Sequence, residues 1–277
     1  MLAFTDSDYQ ETDFSRLLIN TPGAFLVCGG PSANNMDLKS LNNRGIFSLA
    51  VNNVAGHSEF KPSAFVCSDP PEKFHLGIWK DPSIMKFVPH PKLRKGRSVL
   101  VERRGAGDFR KIKLSARDCP NTWSFLRRAW FTPDDSFFTE GASWGNLDAG
   151  VKRTGLPKTA CTMLLGIRLL YEFGVRKIYL LGVDFDMTPG YSFPQHRDDG
   201  SIKSNNNQFR IVNEWLTKME TDGVFDRAGL QIFNCNLSSK LEAFTKIGFG
   251  SAMADILCDF PAEPFDLEGW YEKQAVQ

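Results

Sequence analysis

At 277 residues, with 42% hydrophobic and 23% charged side chains, the chain has an ordinary globular composition, which excludes disorder, collagen and coiled coil as descriptions of the whole. Its 33 Lys and Arg against 32 Asp and Glu leave a formal net charge of +1, which excludes a protein that coats polyanions over its entire surface.

The opening MLAFTDSDYQETDFSRLL has no basic segment followed by an apolar one, so no signal peptide is expected. Short apolar runs then recur, each ending in small or polar residues. Residues 24–28 meet Gly29-Gly30-Pro31-Ser32, 46–51 meet Asn52-Asn53, and 64–67 meet Ser68-Asp69. Residues 85–88 meet Pro89, 177–181 meet Gly182-Val183-Asp184, and 230–233 meet Asn234. Such runs predict buried strands of a parallel sheet. Residues 156–174 predict a helix with Met163, Ile167 and Leu170 on one face and Gly174 at its carboxyl cap, followed at once by a strand. Further helices are expected over 209–221, 240–247 and 251–258. The pattern predicts one α/β domain over 1–277, a doubly wound, Rossmann-like, mostly parallel sheet. Two stretches interrupt it. Residues 91–155 form a basic, Gly-rich and aromatic insertion, and residues 186–208, rich in turn formers, are expected to be a lid loop.

The most apolar stretch, 161–173, is short and contains Arg168 and Glu172, so no membrane span is expected. Six cysteines without a C-x-x-C pair are expected to be buried thiols of a cytoplasmic protein, and four scattered histidines give no zinc pattern.

Three features carry chemistry. Gly29-Gly30-Pro31-Ser32 is either a tight strand-to-helix turn or a turn that admits a ligand phosphate to a helix N-terminus. Asn52, Asn53 and Asp69 also follow strands, at the carboxyl edge where open α/β sheets bind ligands, and Asn amides both donate and accept. Asp184 and Asp186 are either loop acids or a pair that shares a divalent ion, Mg²⁺ or Mn²⁺, bridging phosphates. The third feature is residues 91–128, whose local charge is +9 against −8 for the rest of the chain. Arg103, Arg104, Arg110, Lys111, Lys113, Arg127 and Arg128 lie there with Trp123, Phe125 and Trp130 among or just after them. Cations gather phosphates and aromatic rings stack on bases, although a charge run also serves simply to solubilise.

In order along the chain, these elements resemble a known family. Gly29-Gly30-Pro31-Ser32 with Asp37 resembles the G-x-G-P-S-L-x-x-x-D opening of small bacterial sialyltransferases and of the wider α/β glycosyltransferase-like proteins that include relatives of hydroxymethylpterin pyrophosphokinase. Val51-Asn52-Asn53 is similar to their second-strand element. Thr159 to Thr162, Gly174 and residues 177–185 are similar to their T-S-G … G-x-x-x-I-Y-L-x-G-x-D-F block. Tyr191-Ser192-Phe193 is similar to the Y-x-F of their lid, and residues 235–241 to a late C-P-x-S-x-L segment.

The resemblance implies transfer of a sugar from a nucleotide donor to an acceptor hydroxyl. A base would take the acceptor proton, and the leaving phosphate would need its charge stabilised. Gly29, Gly30, Pro31, Ser32, Asn52, Asn53, Thr159, Thr162 and Asp184 would hold the donor, and Tyr191 would donate to the leaving phosphate. Two departures from the family stand out. Asp186 replaces a phosphate-facing tyrosine, which points to a divalent ion at Asp184 and Asp186 and away from sialic acid. The expected base histidine would fall near Ser204 and Asn205, where there is none, leaving His196, Asp69 or Asp198. The basic stretch suggests a viral DNA-modifying enzyme whose acceptor is a hydroxymethylated pyrimidine. A glycan or lipopolysaccharide acceptor, pyrophosphoryl transfer to a small alcohol, and a non-catalytic nucleotide-binding or nucleic-acid-binding module are the alternatives.

Overall fold

The computed structural model describes residues 2–5, 11–13, 18–19, 21–43, 45–68, 74–89, 99–105, 108–113, 119–125, 133–139, 161–193 and 198–258. In chain order its strands are β1 (Leu2–Thr5), β2 (Glu11–Asp13), β3 (Ala24–Val27), β4 (Phe47–Val51), β5 (Ala64–Val66), β6 (Met85–Pro89), β7 (Val99–Gly105), β8 (Asp108–Lys113), β9 (Thr122–Phe125), β10 (Lys177–Leu181), β11 (Gln231–Asn234) and β12 (Thr245–Lys246). The helices are α1 (Leu76–Lys80), α2 (Ser136–Thr139), α3 (Thr162–Glu172), α4 (Asp199–Thr221), α5 (Val224–Arg227) and α6 (Phe249–Cys258).

Ten strands form one sheet in the order β12-β11-β10-β3-β4-β5-β6-β9-β1-β2. The eight from β12 to β9 are parallel, and β1 and β2 add an antiparallel pair at one edge. From β3 the chain works outward through β4, β5 and β6. It later returns to lay β10 against the other side of β3 and continues outward through β11 and β12. The winding direction therefore reverses between β3 and β10, and in open α/β sheets the crevice at such a reversal, outside the carboxyl ends of the strands, receives ligands.

The apolar runs are continuous because both faces of the sheet are covered. Ala24, Leu26, Leu49, Val66, Phe87, Ile178 and Leu180 bury on one face, together with residues of α3, α4 and α5. Phe25, Val27, Ala50, Phe65, Val88, Tyr179 and Leu181 bury on the other, together with residues of α1 and α6. Gly166 lets α3 come close, since a Cβ there would stand 2.5 Å from Leu26 Cδ1. Gly174 closes α3 in the left-handed conformation, φ +84°, as expected of a carboxyl cap.

The structure corrects four expectations. Residues 199–208 belong to α4, so they are not part of the loop expected over 186–208. The Asp198 carboxylate caps the helix by accepting from Ser201 N at 2.8 Å, and an N-cap of this kind lets a polar stretch start a helix. Residues 240–247 are not helical, because Leu241 and Phe244 turn into the core and β12 pairs with β11 instead. The insertion 91–155 is not wholly outside the sheet, because β9 pairs with β6 and β1. Trp123 on β9 is 1% exposed within the core, so it cannot stack on a base. The ribbon β7–β8 does stand apart as its own two-stranded sheet, and its backbone carries Arg103, Arg104, Arg110, Lys111 and Lys113.

One buried cation is structural. Lys86 on β6 is 0% exposed, and its ammonium donates to the carbonyls of Asp81 (2.6 Å), Ile84 (2.8 Å) and Pro120 (2.6 Å). Burial pulls its pKa from 10.5 down to about 8. Of the cysteines, Cys67, Cys119 and Cys235 are buried as expected, whereas Cys258 is exposed. Among the described residues no helix is long and apolar enough to cross a membrane.

Candidate functional site

The glycine turn after β3 and the loop after β10 meet at the reversal. Cys28 N donates to Leu181 O (2.8 Å) and Gly30 N to Gly182 O (2.9 Å), so the two chain segments run on as a pair beyond the sheet. Pro31–Asn35 is a five-residue 3-10 helix, too short to present the expected helix N-terminus to a phosphate. Its entry already binds an anion, the carboxylate of Asp184. Ser32 Oγ donates to Asp184 Oδ2 at 2.9 Å, Ser32 N to the same oxygen at 3.4 Å, and Asn236 Nδ2 to Oδ1 at 3.0 Å.

Gly30 is glycine for the same reason. A Cβ there would overlap Asp184 Oδ2 and stand 2.5 Å from Gly182 O. Gly182 has φ +62°, and a Cβ there would overlap the Cys28 carbonyl. Gly29 is covered by the lid: Ser192 N donates to Gly29 O (3.0 Å), and a Cβ would meet Phe193 Cε1 at 2.6 Å. The ring of Phe193 stacks on that of Tyr191 with centroids 4.9 Å apart. The glycines thus form a tight turn, and the turn is built around the protein's own carboxylate.

Burial raises the pKa of Asp184 and nearby Asp186 adds to the rise, while the hydrogen bonds from Ser32 and Asn236 oppose it. Cys28 is pushed up by burial first, then by Cys161 and Asp184. These thiols are therefore poor nucleophiles. Thr162 opens α3 and is buried, and its hydroxyl lies 2.7 Å from Ser68 Oγ, tying α3 to the end of β5.

The carboxylates of Asp184 and Asp186 each have partners within the protein. Both oxygens of Asp184 accept from Ser32 and Asn236. Asp186 Oδ1 accepts from Thr188 N (2.9 Å), and its Oδ2 accepts from the Lys240 ammonium (2.6 Å). An ammonium thus already occupies one oxygen of Asp186. Among the described residues no three His, Cys, Asp or Glu side chains come together as metal ligands. Lys240 and Asn236 were missed from the sequence, and the signal that could have found them is the polar end of the run 230–233, on the strand next to β10.

Asn52 has the features of a ligand contact. It follows β4, the strand that pairs with β3, and opens a short 3-10 helix, Asn52–Gly56. Its backbone is left-handed, φ +57°, a conformation costly for any residue but glycine and tolerated best by Asn and Asp. Its side-chain oxygen is buried and accepts no hydrogen bond. A strained residue with an orphaned acceptor is unfavourable twice over unless something absent donates to it.

The structure thus brings together Gly29, Gly30, Pro31, Ser32, Asn52, Asn53, Thr162, Asp184, Asp186 and Tyr191 at the carboxyl edge of the sheet. His196, Asp69, Thr159, Arg127 and Arg128 lie outside the described residues. Asp198 is occupied in capping α4, and its hydrogen bonds from Ser201 lower its pKa, which unfits it as a base near neutrality. A cleft of about 350 Å³ lined by Pro22, Arg176, Lys177, Asp226 and Leu230 lies at the amino ends of β3, β10 and β11, away from all these groups.

Compared with protein-family models, with curated proteins and with solved structures, the chain matches none.

Proposed function

We propose that the chain is a glycosyltransferase that takes its sugar from a nucleotide donor bound in the crevice between β3 and β10. The observation that carries the reading is the orphaned Asn52 acceptor, held in a strained backbone directly after β4, the strand that pairs with β3. A ribose hydroxyl or an exocyclic amine of a base is the donor it lacks. Tyr191, whose ring stacks on that of Phe193 beside Gly29, is proposed to donate to the leaving phosphate. His196 is proposed as the base that takes the acceptor proton.

For the acceptor we propose a hydroxymethylated pyrimidine in DNA. The support is the ribbon β7–β8, which stands outside the main sheet and gathers five Arg and Lys along its two strands. A two-stranded ribbon fits the major groove, and its cations would neutralise backbone phosphates.

The test pairs binding with stability. Asn52→Gly should relieve the backbone strain and stabilise the fold by about 1 kcal/mol, while weakening nucleotide binding at least about tenfold. Unchanged affinity for every nucleotide and nucleotide sugar that the wild type binds would reject the donor site. For the acceptor, DNA co-expressed with the protein is digested and weighed. A hexose- or pentose-sized increment on a pyrimidine is expected, and its absence would leave the DNA assignment without support.

A further inference from the structure

Asp186 and Lys240 pair on the rim of the same crevice. The Lys240 backbone N–H donates to Asp184 O (3.0 Å), which fixes this loop to the residue that organises the glycine turn. The Lys240 ammonium lies 2.6 Å from Asp186 Oδ2. The lysine side chain is 69% exposed and the aspartate 19%. The aspartate thus lies mostly covered while holding an ammonium that faces outward, with one of its three N–H donors spent. An exposed ion pair contributes little to stability, but this one sets a point charge in place. Hydrogen bonding from Lys240 and Thr188 draws Asp186 down to about 2, so the carboxylate is charged at neutral pH.

We infer that Lys240, rather than a divalent cation, supplies the positive charge that receives the phosphates of a nucleoside diphosphate in this crevice. The inference rests on the nucleotide reading above. It accounts for the acidic residue at position 186, where the resemblance puts a phosphate-facing phenol. The carboxylate does not meet the phosphate; it aims the ammonium that does. A phosphate oxygen would share or displace Asp186 at the ammonium, exchanging one charge-assisted hydrogen bond for another. A divalent ion at Asp186 would instead have to expel the lysine first.

The experiment is calorimetric titration of the full chain with UDP, CDP, GDP and ADP, and with the matching nucleosides, in EDTA and in Mg²⁺. The wild type should bind one or more diphosphates equally well in both. Lys240→Ala should weaken that binding about tenfold or more and leave nucleoside binding unchanged, and Lys240→Arg should stay within about threefold. Asp186→Asn frees the lysine and should bind the diphosphate as tightly as the wild type or tighter, whereas a metal ligand replaced in this way would lose affinity. Thermal unfolding of each variant checks that it is folded. Undiminished binding by Lys240→Ala, loss of binding in EDTA, or weakened binding by Asp186→Asn would each overturn the inference while leaving the nucleotide reading in place. A wild type that binds none of the diphosphates would overturn both.

Discussion

Gly30→Ala adds a single methyl group at the most crowded point of the site. Its Cβ would overlap Asp184 Oδ2 and stand 2.5 Å from Gly182 O. The carbonyl cannot withdraw, because it belongs to the backbone and accepts the Gly30 N–H itself. The carboxylate must therefore move, and in moving it forfeits the hydrogen bonds from Ser32 Oγ and Ser32 N. Overpacking costs about 1–3 kcal/mol, and each hydrogen bond to a charged group about 1.5–3 kcal/mol. With partial relaxation toward water, a net loss of about 3–5 kcal/mol is expected. The assay is urea unfolding followed by the fluorescence of the buried Trp79 and Trp123. Gly250→Ala is the control: it lies in α6 with open space around it, and should be neutral or stabilising by up to about 1 kcal/mol. The double variant Gly30→Ala, Asp184→Ala removes the obstacle, so its loss should fall short of the sum of the single losses by about 1 kcal/mol or more. If Gly30→Ala unfolds within about 0.5 kcal/mol of the control, the carboxylate-filled turn is wrong and the glycine is there for a ligand.

Lys86→Met leaves three carbonyls without their donor and should cost about 2–4 kcal/mol in the same assay. Because the folded Lys86 loses its proton at about 8 and the unfolded one at 10.5, the unfolded chain binds the extra proton in that window. The wild type should therefore gain stability relative to Lys86→Met as pH rises from about 8 to 10.5, and a flat difference across that range would refute the buried charge. Asp186 has the opposite dependence: its folded value of about 2 lies below 3.8, so its contribution is complete above 3.8 and fades as pH falls toward 2. In an acid series of urea titrations, Asp186→Asn should lack that decline. Gly166→Val drives a side chain against Leu26 and should destabilise by about 1–3 kcal/mol, read as a lowered urea midpoint.

The six parallel strands that build the centre of the sheet were legible because burial on both faces leaves an unmistakable mark, an apolar run ended by small or polar residues or by proline. Each lies within about one residue of its expected bounds. The elements that were not legible depend on distant partners. Residues 245–246 become β12 only because β11 offers an open edge, and residues 122–125 join the sheet only because β6 and β1 flank them. Polarity misled over 199–208, where Ser and Asn read as loop formers until the cap at Asp198 and the cores of Val212, Leu216 and Met219 further along carried the helix through. In the site, the partners of the two acids were not legible in the sequence. Nothing local to Asp184 says that its counterpart is a turn 152 residues earlier, nor that Lys240 neutralises Asp186.

The place of β10 in the sheet also shapes how the chain comes off the ribosome. Strands β3, β4, β5 and β6 can pair in the order of their synthesis, each beside the last. The other side of β3, the wholly apolar Ala24–Val27, has no neighbour until Lys177–Leu181 has been made, roughly 150 residues or 8–30 s later at 5–20 residues/s. For that interval the nascent protein carries a bare hydrophobic sheet edge, the kind of template on which chains aggregate. Demand for a chaperone should therefore be concentrated in this stretch of translation and end when β10 docks.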